Sequence, residues 1–116
     1  MRGNKMIQCA GAVAAFYEEL GGKVKRFGKP FPEIFDCLFA EMSNITRKRA
    51  VMIGDSLATD IKGARRAGID AIWIAGGIHA VEVGLTSNGH FDQLMAQKAA
   101  EAAGEFPRAI MRWLEW

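Results

Sequence analysis

A short apolar run that stops at a glycine and an acid constrains this chain more than any other stretch. Ala50-Val51-Met52-Ile53 is followed by Gly54-Asp55, with a second acid, Asp60, five residues on. An apolar run bounded in this way predicts a buried strand of a parallel sheet. Open α/β sheets bind ligands outside the carboxyl ends of such strands. Gly54 lets the backbone turn, and Asp55 is then presented at the mouth of the sheet. An aspartate here suits a helix cap or a turn equally well, so from these residues alone that reading stays open.

The flanking segments alternate between helix and strand patterns. Gly11 to Leu20 places Val13, Phe16, Tyr17 and Leu20 at helical spacing, and Gly21-Gly22 ends the helix. Val24 to Phe27 reads as a short strand. Gly28-Lys29-Pro30-Phe31-Pro32 has two prolines flanking one residue and must be a constrained loop. Pro32 suits the first position of a helix carrying Ile34, Phe35, Leu38, Phe39 and Met42 on one face. Ser56 to Ala67 reads as the next helix, with Gly68 as its stop and with acid early and bases late, as the helix dipole favours. Ala71 to Ala75 predicts a second buried strand, ending at Gly76-Gly77. Residues 78–90 read as loop, Phe91 to Ala103 as an Ala-rich helix and Pro107 to Trp116 as one more short helix. This order predicts an α/β fold: a Rossmann-like parallel sheet with helices on both faces, in a single domain spanning residues 1–116.

Composition removes several classes. Fifteen Lys and Arg stand against thirteen Asp and Glu, a formal net charge of +2 with no long basic block, which argues against nucleic acid as a partner. No apolar run reaches transmembrane length, so no membrane partner is expected. Arg2 and Lys5 before Met6 to Phe16 superficially resemble a secretory leader. Gln8 and several small residues weaken that run, and it continues into Tyr17-Glu18-Glu19-Leu20, so the reading is a first helix of a cytoplasmic protein. Cys9 and Cys37 lack metal-ligand spacing and are expected as buried thiols rather than a disulfide. Dinucleotide binding fails on motif, for neither Gly-x-Gly-x-x-Gly nor a Gly-x4-Gly-Lys loop occurs.

Three side chains could converge at one edge of such a sheet: Asp55 and Asp60 around the turn after the strand, and Lys29 in its rigid loop. Carboxylates plus a lysine suit Mg²⁺ and a phosphoryl group. Magnesium takes hard oxygen ligands and keeps most of its waters, so one or two carboxylates suffice, and a lysine neutralises a phosphate oxygen as a mobile point charge. Taken singly, Lys29 reads as a solvated loop residue. His79 and His90 read as loop histidines, and Trp73 as core. Trp113 and Trp116 read as packing against the sheet or covering an interface.

Gly28-Lys29-Pro30, followed by Val51-Met52-Ile53-Gly54-Asp55-x4-Asp60-Ile61-x-Gly63-Ala64-x-x-Ala67-Gly68-Ile69, resembles the haloacid dehalogenase (HAD) superfamily, nearest to its NagD-like capped phosphatases. The resemblance runs over roughly residues 6–80. It implies Mg²⁺-dependent hydrolysis of a small phosphate ester. It assigns metal binding to Asp55, stabilisation of the nucleophile and the phosphoryl group to Lys29, and support of the metal waters or of the lysine to Asp60. The family's chemistry begins with an Asp-x-Asp whose first acid attacks phosphorus. No Asp-x-Asp occurs in these 116 residues, and the first aspartate is Asp36. The resemblance therefore implies the C-terminal part of a HAD core, without cap or nucleophile strand. Whether the chain is an enzyme is left open. It is expected to be a truncated phosphatase, inactive alone, that would take a small phosphorylated metabolite if completed by the other half. The alternative is a non-catalytic α/β binding or subunit module derived from such a hydrolase. In the family the Gly-Asp strand pairs with the nucleophile strand. Without it the strand keeps an apolar edge, and the chain is expected to be marginal alone or to find a partner, such as a second copy, through that edge.

Overall fold

The computed structural model describes residues 9–42 and 44–115. The leader-like stretch up to Gln8 lies outside the described residues. From Ala10 the chain is helical: α1 spans Ala10–Glu19 and α2 spans Glu33–Glu41. A single 3₁₀ turn, Arg47–Arg49, leads into β1, Val51–Gly54. After β1 comes a π-helical turn, Leu57–Ile61, continuing into α3, Lys62–Ala67. Then follow β2 (Asp70–Ile74), α4 (Gln93–Ala102) and β3 (Ala109–Met111). No described helix is long and apolar enough to cross a membrane.

The three strands form one parallel sheet in the order β1-β2-β3. Val51 is level with Asp70 and Gly54 with Trp73, while Ile72 is level with Ala109 and Ile74 with Met111. Two expectations need correcting. Of the stretch Pro107 to Trp116, the described residues 107–115 hold a strand rather than a helix, because a short apolar run has no period of its own and the open edge of β2 offers it a ladder; Trp116 lies outside the described residues. Val24 to Phe27 joins no strand of the sheet, and an isolated extended segment has nothing to satisfy its backbone groups but water.

The expectation of helices on both faces of the sheet also needs correcting: among the described residues α2, α3 and α4 all pack on one face, because sheet order follows chain order without reversal. Right-handed crossovers made in one direction deliver their helices to the same face of a sheet. Met52, Ala71, Trp73 and Ile110 alternate onto that face. There they join the core with Phe35 of α2, Leu57, Ile61, Ala64 and Ala67 of the helical stretch after β1, and Ala96, Ala99 and Ala100 of α4. Trp73, wholly buried, is the largest side chain of that core. The alternate positions, Val51, Ile53 and Met111, are exposed, and Ile72 and Ile74 are half-buried. Exposure continues on α1, which buries no side chain, and on α2, where Phe35 alone is buried while Ile34 and Leu38 stay in solvent.

Helix α3 ends because Gly68 takes the left-handed conformation, φ 68°. Its N–H donates to the Arg65 carbonyl, and that of Ile69 donates to the Ala64 carbonyl. This closing pair needs a residue without Cβ strain at position 68. It turns the chain directly into β2.

Candidate active site

The carboxyl end of β1 carries the candidate site. Gly54 is the last strand residue, and a Cβ there would run into the Asp60 side chain, so the strand and the following turn can approach only through a glycine. The helix after β1 does not start as a regular α-helix, contrary to the reading of Ser56 to Ala67. Its first turn is over-wide: the N–H of Ile61 donates to the Ser56 carbonyl at 3.1 Å, while the N–H of Thr59 donates to Ser56 Oγ at 3.2 Å. Such π turns are rare and recur at functional sites.

Asp60 is 4% exposed and has both carboxylate oxygens engaged. Its Oδ2 accepts from the Ser56 N–H at 3.0 Å, and its Oδ1 accepts from Lys29 Nζ at 2.5 Å. Lys29 arrives from a loop 31 positions earlier in sequence. Gly28, at φ 104°, and a cis Lys29-Pro30 peptide shape that loop. Pro30 lies so close to Gly63 of α3 that a Cβ on the glycine would sit 3.3 Å from the proline Cα. The lysine loop is thus pinned against the helix that carries its carboxylate partner.

Asp55 sits at the same rim, differently held. Its carbonyl accepts from the Trp73 indole Nε1–H at 2.9 Å, and its Oδ2 accepts from the Ile78 N–H at 3.2 Å. Gly77 makes room for it, for a Cβ there would overlap the Asp55 carboxylate. Oδ1 of Asp55 has no hydrogen-bond partner among the described residues. The structure therefore brings Lys29 and Asp60 into contact and leaves Asp55 as the neighbouring acid with an open oxygen.

Among the described residues, no three His, Cys, Asp or Glu side chains come close enough together to form a metal-binding cluster. The available donor is one carboxylate beside a second that is already compensated by an ammonium. That set suits a hard cation keeping most of its water shell, the habit of Mg²⁺, and suits poorly a cation that demands several protein ligands.

The sequence reading missed the groups that orient Asp55, namely the Trp73 indole and the Gly77-Ile78 backbone. The double glycine after β2 was the available signal. His79 pairs with Glu82 (Nδ1 to Oε2, 2.6 Å), and its ring stands edge-on to Trp73 at 5.3 Å. His90 is exposed, its N–H donating to Thr86 Oγ1. Both cysteines are free, as read, yet both are exposed rather than buried, since α1 and α2 bury so little.

Comparison with known proteins follows the same geometry. The HAD-hydrolase-like family profile matches residues 26–102, from just before the lysine loop to the end of α4. The chain belongs to the HAD family. The HAD-hydrolase YfnB of Bacillus subtilis (strain 168) is 40% identical over 48 residues, which is 41% of this chain and 20% of YfnB. A haloacid dehalogenase-like hydrolase from Brucella suis 1330 superposes with a TM-score of 0.62 at 32% identity, covering 98% of this chain and 40% of that one. NagD from E. coli K-12 shares the fold at a TM-score of 0.60 and 21% identity, covering 92% of this chain and 37% of that one. The HAD chain described here thus spans a fifth of YfnB and two fifths of the Brucella protein, and it corresponds to part of a HAD core.

Proposed function

We propose that this chain carries the lysine, metal and supporting-acid part of a HAD-type phosphatase site acting on a small phosphate ester. The contact between Lys29 and Asp60 at 2.5 Å, beside the open oxygen of Asp55, carries the reading. In this proposal Asp55 holds Mg²⁺, which when bound would neutralise charge on the phosphoryl oxygens. Asp60 is a positioning residue: buried and doubly hydrogen-bonded, it fixes the Lys29 ammonium at the rim. Lys29, about half exposed along its side chain, then meets the phosphate as a positive charge.

Phosphoryl transfer by this route also needs an aspartate nucleophile, and these 116 residues contain no Asp-x-Asp. We infer that turnover requires the nucleophile from outside them. The two free thiols fit a reducing compartment such as the cytoplasm.

The test is a Mg²⁺ titration of the chain against Asp55→Asn, followed by hydrolysis of p-nitrophenyl phosphate. Weak Mg²⁺ binding abolished in Asp55→Asn, with negligible turnover by the 116 residues alone, is the expected result. Binding that survives Asp55→Asn would remove the metal assignment. Turnover lost with Asp55→Asn would show that no external nucleophile is needed.

A further inference from the structure

We infer that His79 is a positioning residue for Asp55: tied to Glu82 and set against Trp73, it holds the loop after β2 so that the Asp55 carboxylate keeps one oxygen free for a cation. The inference rests on the metal-binding reading of Asp55 proposed above and adds the residues that set that carboxylate in place.

A histidine in a run of turns is ordinarily solvated. The His79 side chain is only 21% exposed, and its imidazole is engaged at two places. An ionised carboxylate can only accept, so His79 Nδ1 donates to Glu82 Oε2, at 2.6 Å. The ring stands at 80° to the Trp73 indole with centroids 5.3 Å apart, the T-shaped arrangement that aromatic pairs favour. One ring thus ties an exposed acid of the loop to the largest buried side chain of the core.

Trp73 and the loop both reach Asp55. The indole Nε1–H donates to the Asp55 carbonyl at 2.9 Å. One position before His79, the Ile78 N–H donates to Asp55 Oδ2 at 3.2 Å. His79 therefore joins the two groups that orient Asp55, one through the chain and the other through its ring. If Ile78 withdrew, Oδ2 would lose its donor and the carboxylate would be free to turn. Backbone bonds shape this loop, with the Ala80 N–H donating to the Gly77 carbonyl and the Val83 N–H to that of His79. They do not press the loop onto the strand. Its apolar side chains Ile78 and Val81 are exposed, so the grip on β2 falls to the imidazole. Groups that orient a metal ligand from outside the coordination sphere commonly set affinity by tenfold or more.

Three substitutions separate the two contacts of the ring. His79→Asn keeps a donor for Glu82 and loses the ring on Trp73. His79→Phe keeps the ring and loses the donor, and His79→Ala loses both. Hydrogen exchange of the Ile78 amide and the Trp73 indole N–H, followed by NMR without metal, reads the loop directly. In His79→Ala both should exchange about tenfold faster or more, while the ladder amides of β2 keep their rates. A general loss of stability would instead speed them all. Mg²⁺ binding should weaken about tenfold in His79→Ala and recover in part in His79→Asn and His79→Phe. Unchanged exchange at Ile78 and Trp73, acceleration shared equally by the whole of β2, or Mg²⁺ affinity indifferent to His79→Ala would overturn the proposal. Absence of Mg²⁺ binding in the unsubstituted chain would remove the metal reading alone, and the exchange rates would still decide whether His79 positions Asp55.

Discussion

Gly54 and Asp60 lie six positions apart in sequence but side by side in space. Placing a methyl group at position 54 must push the Asp60 side chain away. Gly54→Ala is therefore expected to cost about 1–3 kcal/mol, the range for overpacking a filled site, measured by urea denaturation. The same displacement should loosen the Lys29 ammonium, seen as increased reactivity of that one lysine in a competitive acylation experiment. Asp60→Asn retains the shape and the acceptor for the Ser56 N–H but removes the charge that Lys29 meets, so it should reproduce the lysine effect with a smaller stability loss. If Lys29 reactivity is unchanged in both variants, the ion pair does not position it.

At the scale of elements, the crossovers hold the sheet and are themselves held by few groups. Asp92 caps α4, its Oδ1 accepting from the Met95 N–H at 3.0 Å. Asp92→Ala should destabilise the chain by about 1 kcal/mol, the usual value of such a cap, read in the same denaturation experiment. Gly68→Ala forces a Cβ into the left-handed region and should cost about 1–2 kcal/mol. Helix α3 is tied to the approach to β3 by a two-pronged ion pair, Arg65 Nε and Nη2 to Glu105 at 2.8 and 3.2 Å, with Glu105 almost wholly buried. The Glu105 hydrogen bonds, and then its charge, hold the Arg65 pKa above the ordinary arginine value. A raised folded-state pKa gives stability that is complete below the unfolded pKa and is lost only as pH rises through the folded one. For arginine that window is strongly alkaline, so Arg65→Met should lower the melting midpoint by a similar amount throughout about pH 6–9. A penalty that vanished within that range would contradict the assignment.

For the whole molecule, a one-sided sheet is the dominant fact. The radius of gyration is 16.3 Å, against about 13 Å for a compact domain of this length. Val51, Ile53 and Met111 on one face, with Val13 and Phe16 on α1, are apolar groups without cover among the described residues. A chain built this way should bind a hydrophobic dye such as ANS under native conditions and melt over a broad range. Sharp, cooperative melting without dye binding would show that the exposed groups are covered in solution.

Local chemistry was enough to place most of the chain. Two consecutive apolar runs, each ending in glycine, define β1 and β2. Gly21 and Gly68 mark where helices stop, and the spacing from Gly28-Lys29-Pro30 to Gly54-Asp55 and Asp60 singles out the site. These are near-neighbour effects, and sequence carries them directly. Other features depend on what lies alongside. The strand at Ala109–Met111 exists because β2 has an edge to offer. The π turn exists because Asp60 must reach both Ser56 and Lys29. The cysteines are exposed because α1, which Cys9 precedes, and α2, which carries Cys37, bury little. Partners brought together across 31 positions, as Lys29 and Asp60 are, leave no periodic trace in the chain, because such meetings are decided by packing geometry, which only the tertiary structure fixes.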